Sequence, residues 1–85
     1  MNLITVHITE DLKTKIINLA EEEWGDPVLR RNLSRLPADN YLVDPEEVQE
    51  EVAEDPTSSS PLVNMVACID YFGLLEQNST PYPAE

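Results

Sequence analysis

The sequence predicts a mainly α (α+β) domain: about four short helices with one N-terminal β-strand. Three observations carry this. Near the N-terminus Leu3–Ile8 is an alternating, β-branched stretch, with the period of a strand. Beyond that point apolar residues recur at helical spacing. The helical stretches open on Thr9, Asp26-Pro27, Asp44-Pro45 and Ser60-Pro61, residue types that cap or start helices.

In the N-terminal stretch Ile4, Val6 and Ile8 point one way, and Leu3, Thr5 and His7 the other. Thr9 supplies an N-cap oxygen, with Glu10 and Asp11 in the first turn, where the helix dipole favours acids. Leu12, Ile16, Leu19 and Ala20 form one face of this first helix, Trp24 follows, and Gly25 ends it. A second helix starts at Asp26-Pro27, turns Val28, Leu29, Leu33 and Leu36 to the core, and stops at Pro37. Tyr41–Val43 reads as a brief strand. Asp44-Pro45-Glu46-Glu47 starts a third helix with capping-box spacing; it runs to about Asp55 and offers only Val48, Val52 and Ala53 to a core. After a loop over 56–60, Leu62, Met65, Val66, Ile69 and Phe72 fit a buried fourth helix, widened by Val63, Ala67 and Leu74, with Gly73 at its end. Cys68 lies within it and reads as a small core residue.

The length of 85 residues implies one domain, compact over 1–76, with 77–85 as a mobile tail carrying Pro81 and Pro83. A lone strand leaves backbone donors and acceptors unpaired. The strand must therefore pair either with residues 41–43 or with the same strand of a second chain. In the second case Ile4, Val6 and Ile8 would form a dimer interface.

The net charge is −12, from 17 acidic and five basic residues. The charge is segregated. Residues 1–35 carry all five bases (Lys13, Lys15, Arg30, Arg31 and Arg35) against six acids, while residues 36–85 carry eleven acids and no Lys, Arg or His. Phosphate contact relies on Lys and Arg, so direct nucleic-acid binding is not expected. Nor is binding to an anionic membrane. No apolar run reaches the length of a membrane span, no signal peptide is apparent, and one cysteine cannot form an internal disulfide. These features together predict a cytoplasmic protein, the cytoplasm of a host cell included.

The densest acidity falls on the third helix, at Glu46, Glu47, Glu50, Glu51, Glu54 and Asp55. Four like-charge pairs stand at i,i+4, and together they cost on the order of 1–2 kcal/mol. A segment that is locally unfavourable points to use elsewhere. Carboxylates spaced along a rod imitate backbone phosphates and would occupy a basic groove. The alternative is a solvated face whose repulsion is relieved by Arg30, Arg31 and Arg35. No metal is expected, because these carboxylates diverge, no calcium-loop pattern occurs, and His7 is the only histidine. No cofactor motif, Ser/His/Asp set or convergent carboxylate pair is present, so no catalytic residue is assigned and the protein is not expected to be an enzyme. Trp24, beside a helix end, is the aromatic residue best placed to anchor a partner.

The stretch Ile4–Lys13 resembles the strand and helix opening of ribbon-helix-helix proteins. The resemblance implies a strand-paired dimer rather than a DNA reader, since the strand lacks basic residues. The sequence departs from the family where Pro27 and Pro37 bracket a short second helix. Three functional expectations follow. The first is a small acidic inhibitor or mimic that occupies a basic, nucleic-acid-binding surface of a target protein, of the anti-host or anti-defence kind that phages encode. Its partner-binding residues are Glu46, Glu47, Glu50, Glu51, Glu54, Asp55 and Trp24. The second is a dimeric regulator or antitoxin-type module built through the N-terminal strand. The third is an accessory subunit docking through the apolar face of 62–75.

Overall fold

The computed structural model describes residues 3–54 and 60–82. The protein is mixed α+β and mainly helical. Its elements run β1 (Ile4–Ile8), α1 (Glu10–Glu23), α2 (Pro27–Arg35), β2 (Asp39–Val43), α3 (Pro45–Glu54), α4 (Pro61–Tyr71), a 3-10 turn at Glu76–Asn78, and β3 (Ser79–Pro81). The expectations for Asp55 and for residues 56–59 fall outside the described residues.

Helix boundaries follow local chemistry. The Thr9 hydroxyl accepts from the Leu12 N–H at 3.0 Å and opens α1. Asp26 accepts from the Val28 N–H at 2.9 Å and opens α2 ahead of Pro27. Asp44 accepts from the Glu46 N–H at 3.0 Å at the head of α3. Gly73 sits at φ 72°, which a residue with a Cβ rarely adopts. There the Leu74 N–H reaches back to the Ile69 carbonyl and the Gly73 N–H to that of Asp70, the paired bonds of a Schellman ending.

The strands form one antiparallel sheet in the order β2-β1-β3. Ile4 stands opposite Val43 and Val6 opposite Tyr41, and on the other edge Thr5 pairs with Thr80. The strand expected at 41–43 is present and begins two residues earlier. β3 is a difference from the sequence reading, which assigned residues 79–81 to a tail outside the compact domain. The Ser79 hydroxyl donates to the Leu75 carbonyl at 2.6 Å and steers the chain out of the 3-10 turn. The Tyr82 N–H then donates to the Leu3 carbonyl at 3.0 Å, so β1 gains a second neighbour.

That neighbour bears on the dimer expectation. β1 is the central strand, and both of its edges are occupied within the chain. Val6 and Ile8 are buried in the core and Ile4 packs against it as a half-buried residue. Val6 and Ile8 are therefore turned into the chain's own core, and both edges of β1 are paired within the chain.

The helices cover one face of the sheet. Val6, Ile8 and Val43 join Leu12, Ile16 and Ala20 of α1, Leu33 of α2, and Val63, Met65, Val66 and Ile69 of α4 in one apolar cluster. α4 is the hub: α1, α2 and α3 all pack on it. Fully burying one such side chain contributes roughly 1.5–3 kcal/mol. Two positions on α2 differ from the predicted apolar face. Val28 is exposed, and Asn32 takes a buried place, because the helix rotates to bring Leu29 and Leu33 rather than Val28 toward α4. On α3, Val48 is buried, Val52 half-buried and Ala53 exposed. The opposite face of the sheet carries a polar row in which His7 Nδ1 lies 2.9 Å from Asn40 Oδ1 and His7 Nε2 lies 3.2 Å from Thr80 Oγ1. No helix among the described residues is long and apolar enough to cross a membrane.

Candidate functional site

Two grooves flank α3, one on each side. The first lies where the helix leaves the sheet. Its floor is apolar, made by Leu3, Leu42 and Val43 of the sheet end and by Val48, Leu62 and Val63 of the two helices. Glu47 and Glu51 line it as exposed residues, and Asp44 lines it as a buried one whose carboxylate caps α3. The groove encloses about 260 Å³.

The helical period explains this arrangement. Val48 and Val52 lie one turn apart and hold α3 on the core, and Glu47 and Glu51 lie one turn apart beside them. Both glutamates are exposed, as are Glu46, Glu50 and Glu54 farther round the same helix. Gln49, on the other flank, points its Nε2 at Asp70 of α4, 3.5 Å away. The acidic face is therefore continuous on the side of the first groove. Of the expected acidic residues, the structure brings Glu47 and Glu51 together at a concave surface and spreads Glu46, Glu50 and Glu54 over the solvent face. Asp55 lies outside the described residues. α2 and α3 each pack on α4, and Leu29 of α2 and Val52 of α3 both line the second groove.

The second groove runs over α4. Its floor is a stripe at i, i+3, i+4 and i+7: Asn64, Ala67, Cys68 and Tyr71. Leu29 of α2 stands on one wall and Val52 of α3 on the other, with Trp24 and Asp26 at one end. The groove encloses about 420 Å³. It is concave because Ala67 and Cys68 are small where their neighbours along the helix are large. Trp24 is 45 % exposed, which marks a half-covered ring rather than a core residue. It packs on Tyr71 and Phe72 with centroids 5.0 and 5.6 Å away. Tyr71 donates its hydroxyl proton to Glu23 at 2.9 Å. That bond, with the carboxylate charge behind it, raises the Tyr71 phenol above its ordinary range. Burial pushes the Cys68 thiol up to about 11, so Cys68 is a protonated floor residue near neutral pH and not a nucleophile.

Sequence reasoning picked Trp24, Glu47 and Glu51 but missed what surrounds them. In the sequence Leu3 and Leu42 belong to strands and Leu62 to a core helix, and their meeting beside the acidic helix depends on sheet register. Ala67 and Cys68 carried a usable signal: two small residues at the centre of an otherwise bulky helix mark a dip in its surface.

Among the described residues no group of three or more His, Cys, Asp or Glu is arranged to hold a metal ion. The grooves are suited to non-covalent binding. One offers carboxylates over an apolar floor; the other offers aromatic rings and small apolar side chains. No protein-family model, curated protein or solved structure matches the chain.

Proposed function

We propose that the protein is a binding protein that acts as an inhibitor or mimic, engaging a basic surface of another protein through the acidic side of α3. The observation that carries this reading is the apolar-floored groove beside the exposed Glu47 and Glu51. A purely solvated acidic face needs no such floor. Lys and Arg pair an aliphatic stem with a charged head, and this groove offers a partner to each part. Arginine suits it best, because its planar fork meets carboxylates with two bonds. Surfaces rich in such residues are those that bind nucleic-acid phosphates. The acids on the solvent face would supply the long-range field that steers the encounter. No catalytic role is assigned to any residue.

The test is competition and charge reversal. The immobilised chain is exposed to host lysate at low salt, and the captured protein is then challenged with duplex DNA, with RNA and with rising salt. A captured protein displaced by nucleic acid, with an on-rate that falls steeply as salt rises, supports the reading. The variant Glu47→Lys/Glu51→Lys, shown by circular dichroism to be folded, should lose capture by at least about 100-fold, or about 2.7 kcal/mol. Undiminished capture by that variant would refute the acidic-groove reading.

A further inference from the structure

The groove over α4 belongs to a different surface from the acidic one and has the form of a seat for a helix. Its floor follows the i, i+3, i+4, i+7 spacing of one helical face, a length of about 10 Å or two turns. Its walls are the flanks of α2 and α3, at Leu29 and Val52. An amphipathic helix laid in a groove is anchored through residues at this same spacing. The small floor residues Ala67 and Cys68 let such a helix approach closely, and Leu29 and Val52 would flank its apolar side chains.

Charge defines the occupant further. Asp26 lines the groove, and Glu23 accepts from the Tyr71 hydroxyl at the same end. The arginines Arg30, Arg31 and Arg35 lie farther along α2. The exposed Trp24 and Tyr71 rings at this acidic end suit a cationic side chain, which is attracted to an aromatic face and most of all to tryptophan. The whole chain carries a net charge of −12, which disfavours both a second copy of itself and any acidic helix.

We propose that this groove seats an amphipathic helix of a partner protein, with apolar side chains on Ala67 and Cys68 and a Lys or Arg over Trp24 beside Asp26. The proposal shares with the function above only the basic character of the partner. It stands or falls on different residues.

The probe is a synthetic helical peptide with leucine at i, i+3, i+4 and i+7 and lysine elsewhere, added to the full chain at moderate salt, where distant charges are screened. Trp24 is the only tryptophan, so its emission reports occupancy directly. A saturable emission change is expected, with backbone amide shifts centred on Trp24, Leu29, Val52 and Ala67. Ala67→Leu, which fills the groove, should weaken binding at least about tenfold, or about 1.4 kcal/mol. Asp26→Asn is the second variant. It retains the helix cap, since Asn and Asp cap equally well, and removes the charge, so it should weaken the lysine peptide severalfold and leave thermal stability near that of the parent. A peptide with glutamate in place of lysine should bind at least about tenfold more weakly.

Absence of saturable binding overturns the proposal. So does unchanged affinity in folded Ala67→Leu, or shifts that map to the sheet or to the first groove alone. Self-association abolished by Ala67→Leu would name a second copy as the occupant and also overturn it. Glu47→Lys/Glu51→Lys separates the two readings. If that variant loses lysate capture and keeps peptide binding in the groove, both stand. If it keeps capture while Ala67→Leu loses peptide binding, the acidic-groove function fails and the helix seat stands. If Ala67→Leu binds the peptide normally while the double variant loses capture, the seat fails alone.

Discussion

α3 and α4 both open on a capped proline, Asp44-Pro45 in one and Ser60-Pro61 in the other, and both contribute to the same core. α4 buries Val63, Met65, Val66, Cys68 and Ile69. α3 buries Val48 alone. α4 has one acid, Asp70, within its span, whereas α3 has five within its ten residues. Neither helix carries a basic residue. The contrast separates two uses of a helix in a small domain. α4 supplies the apolar surface on which α1, α2 and α3 converge. α3 is held by a narrow apolar stripe and presents charge on the remainder. Substitutions on α4 should therefore act on stability, and those on the outer face of α3 on binding.

The largest effect tests the α4 side. Ile69 has no exposed surface, and Ile69→Ala should destabilise the domain by about 2–5 kcal/mol through lost transfer energy and a residual cavity. That is comparable with the whole stability of a small domain. Urea denaturation should show the variant partly unfolded without denaturant. A loss below about 1 kcal/mol would mean that α4 is not the hub its packing indicates.

A second test uses the buried thiol of α4. The Cys68 pKa is raised by burial from 9.0 to about 11. The unfolded chain therefore loses its thiol proton first as pH rises. The stabilisation tied to the protonated thiol is complete below about pH 9 and declines as pH rises through about 11. The urea midpoint of the parent should fall over that window by more than that of Cys68→Ala. Equal slopes would place Cys68 in contact with water and weaken the reading of α4 as sealed.

The same contrast governs how much could be read from the sequence. The helix starts were legible because capping is a local matter, settled by Thr9, Asp26, Asp44 and their neighbours. The strand at Ile4–Ile8 was legible from its alternation. β3 was not, since Ser79-Thr80-Pro81 has no alternation of apolar residues and gains strand geometry only by pairing with Thr5 and its neighbours. The second neighbour of β1 was hidden for the same reason: a strand with one visible partner has a free edge, and the other partner lies more than seventy residues away along the chain. Acidic residues on α3 could be counted, but the apolar floor beside Glu47 and Glu51 comes from Leu3, Leu42 and Leu62, three separate parts of the chain. Local chemistry set the elements. Long-range pairing set the concave surfaces.

The smallest effect is the sharpest test of α3, because stability and binding should move in opposite directions. Glu50 stands one turn from both Glu46 and Glu54, and all three are exposed. Glu50→Gln removes two like-charge i,i+4 pairs, each worth about 0.2–0.5 kcal/mol, and glutamine has nearly the helix propensity of glutamate. Stability should therefore rise by about 0.4–1 kcal/mol, a gain of a few degrees in melting temperature for a domain of this size. The gain should shrink as salt screens the repulsion. The on-rate for a basic partner should fall in the same variant, since one steering charge is gone. A helix whose acids are only solvated would show the first change without the second. A helix whose acids are already neutralised by bases would show neither, because Glu50 would then lose an attraction along with the repulsion. Calorimetry and stopped-flow association on this single variant, at two salt concentrations, thus distinguish a repulsive face kept for binding from an inert one.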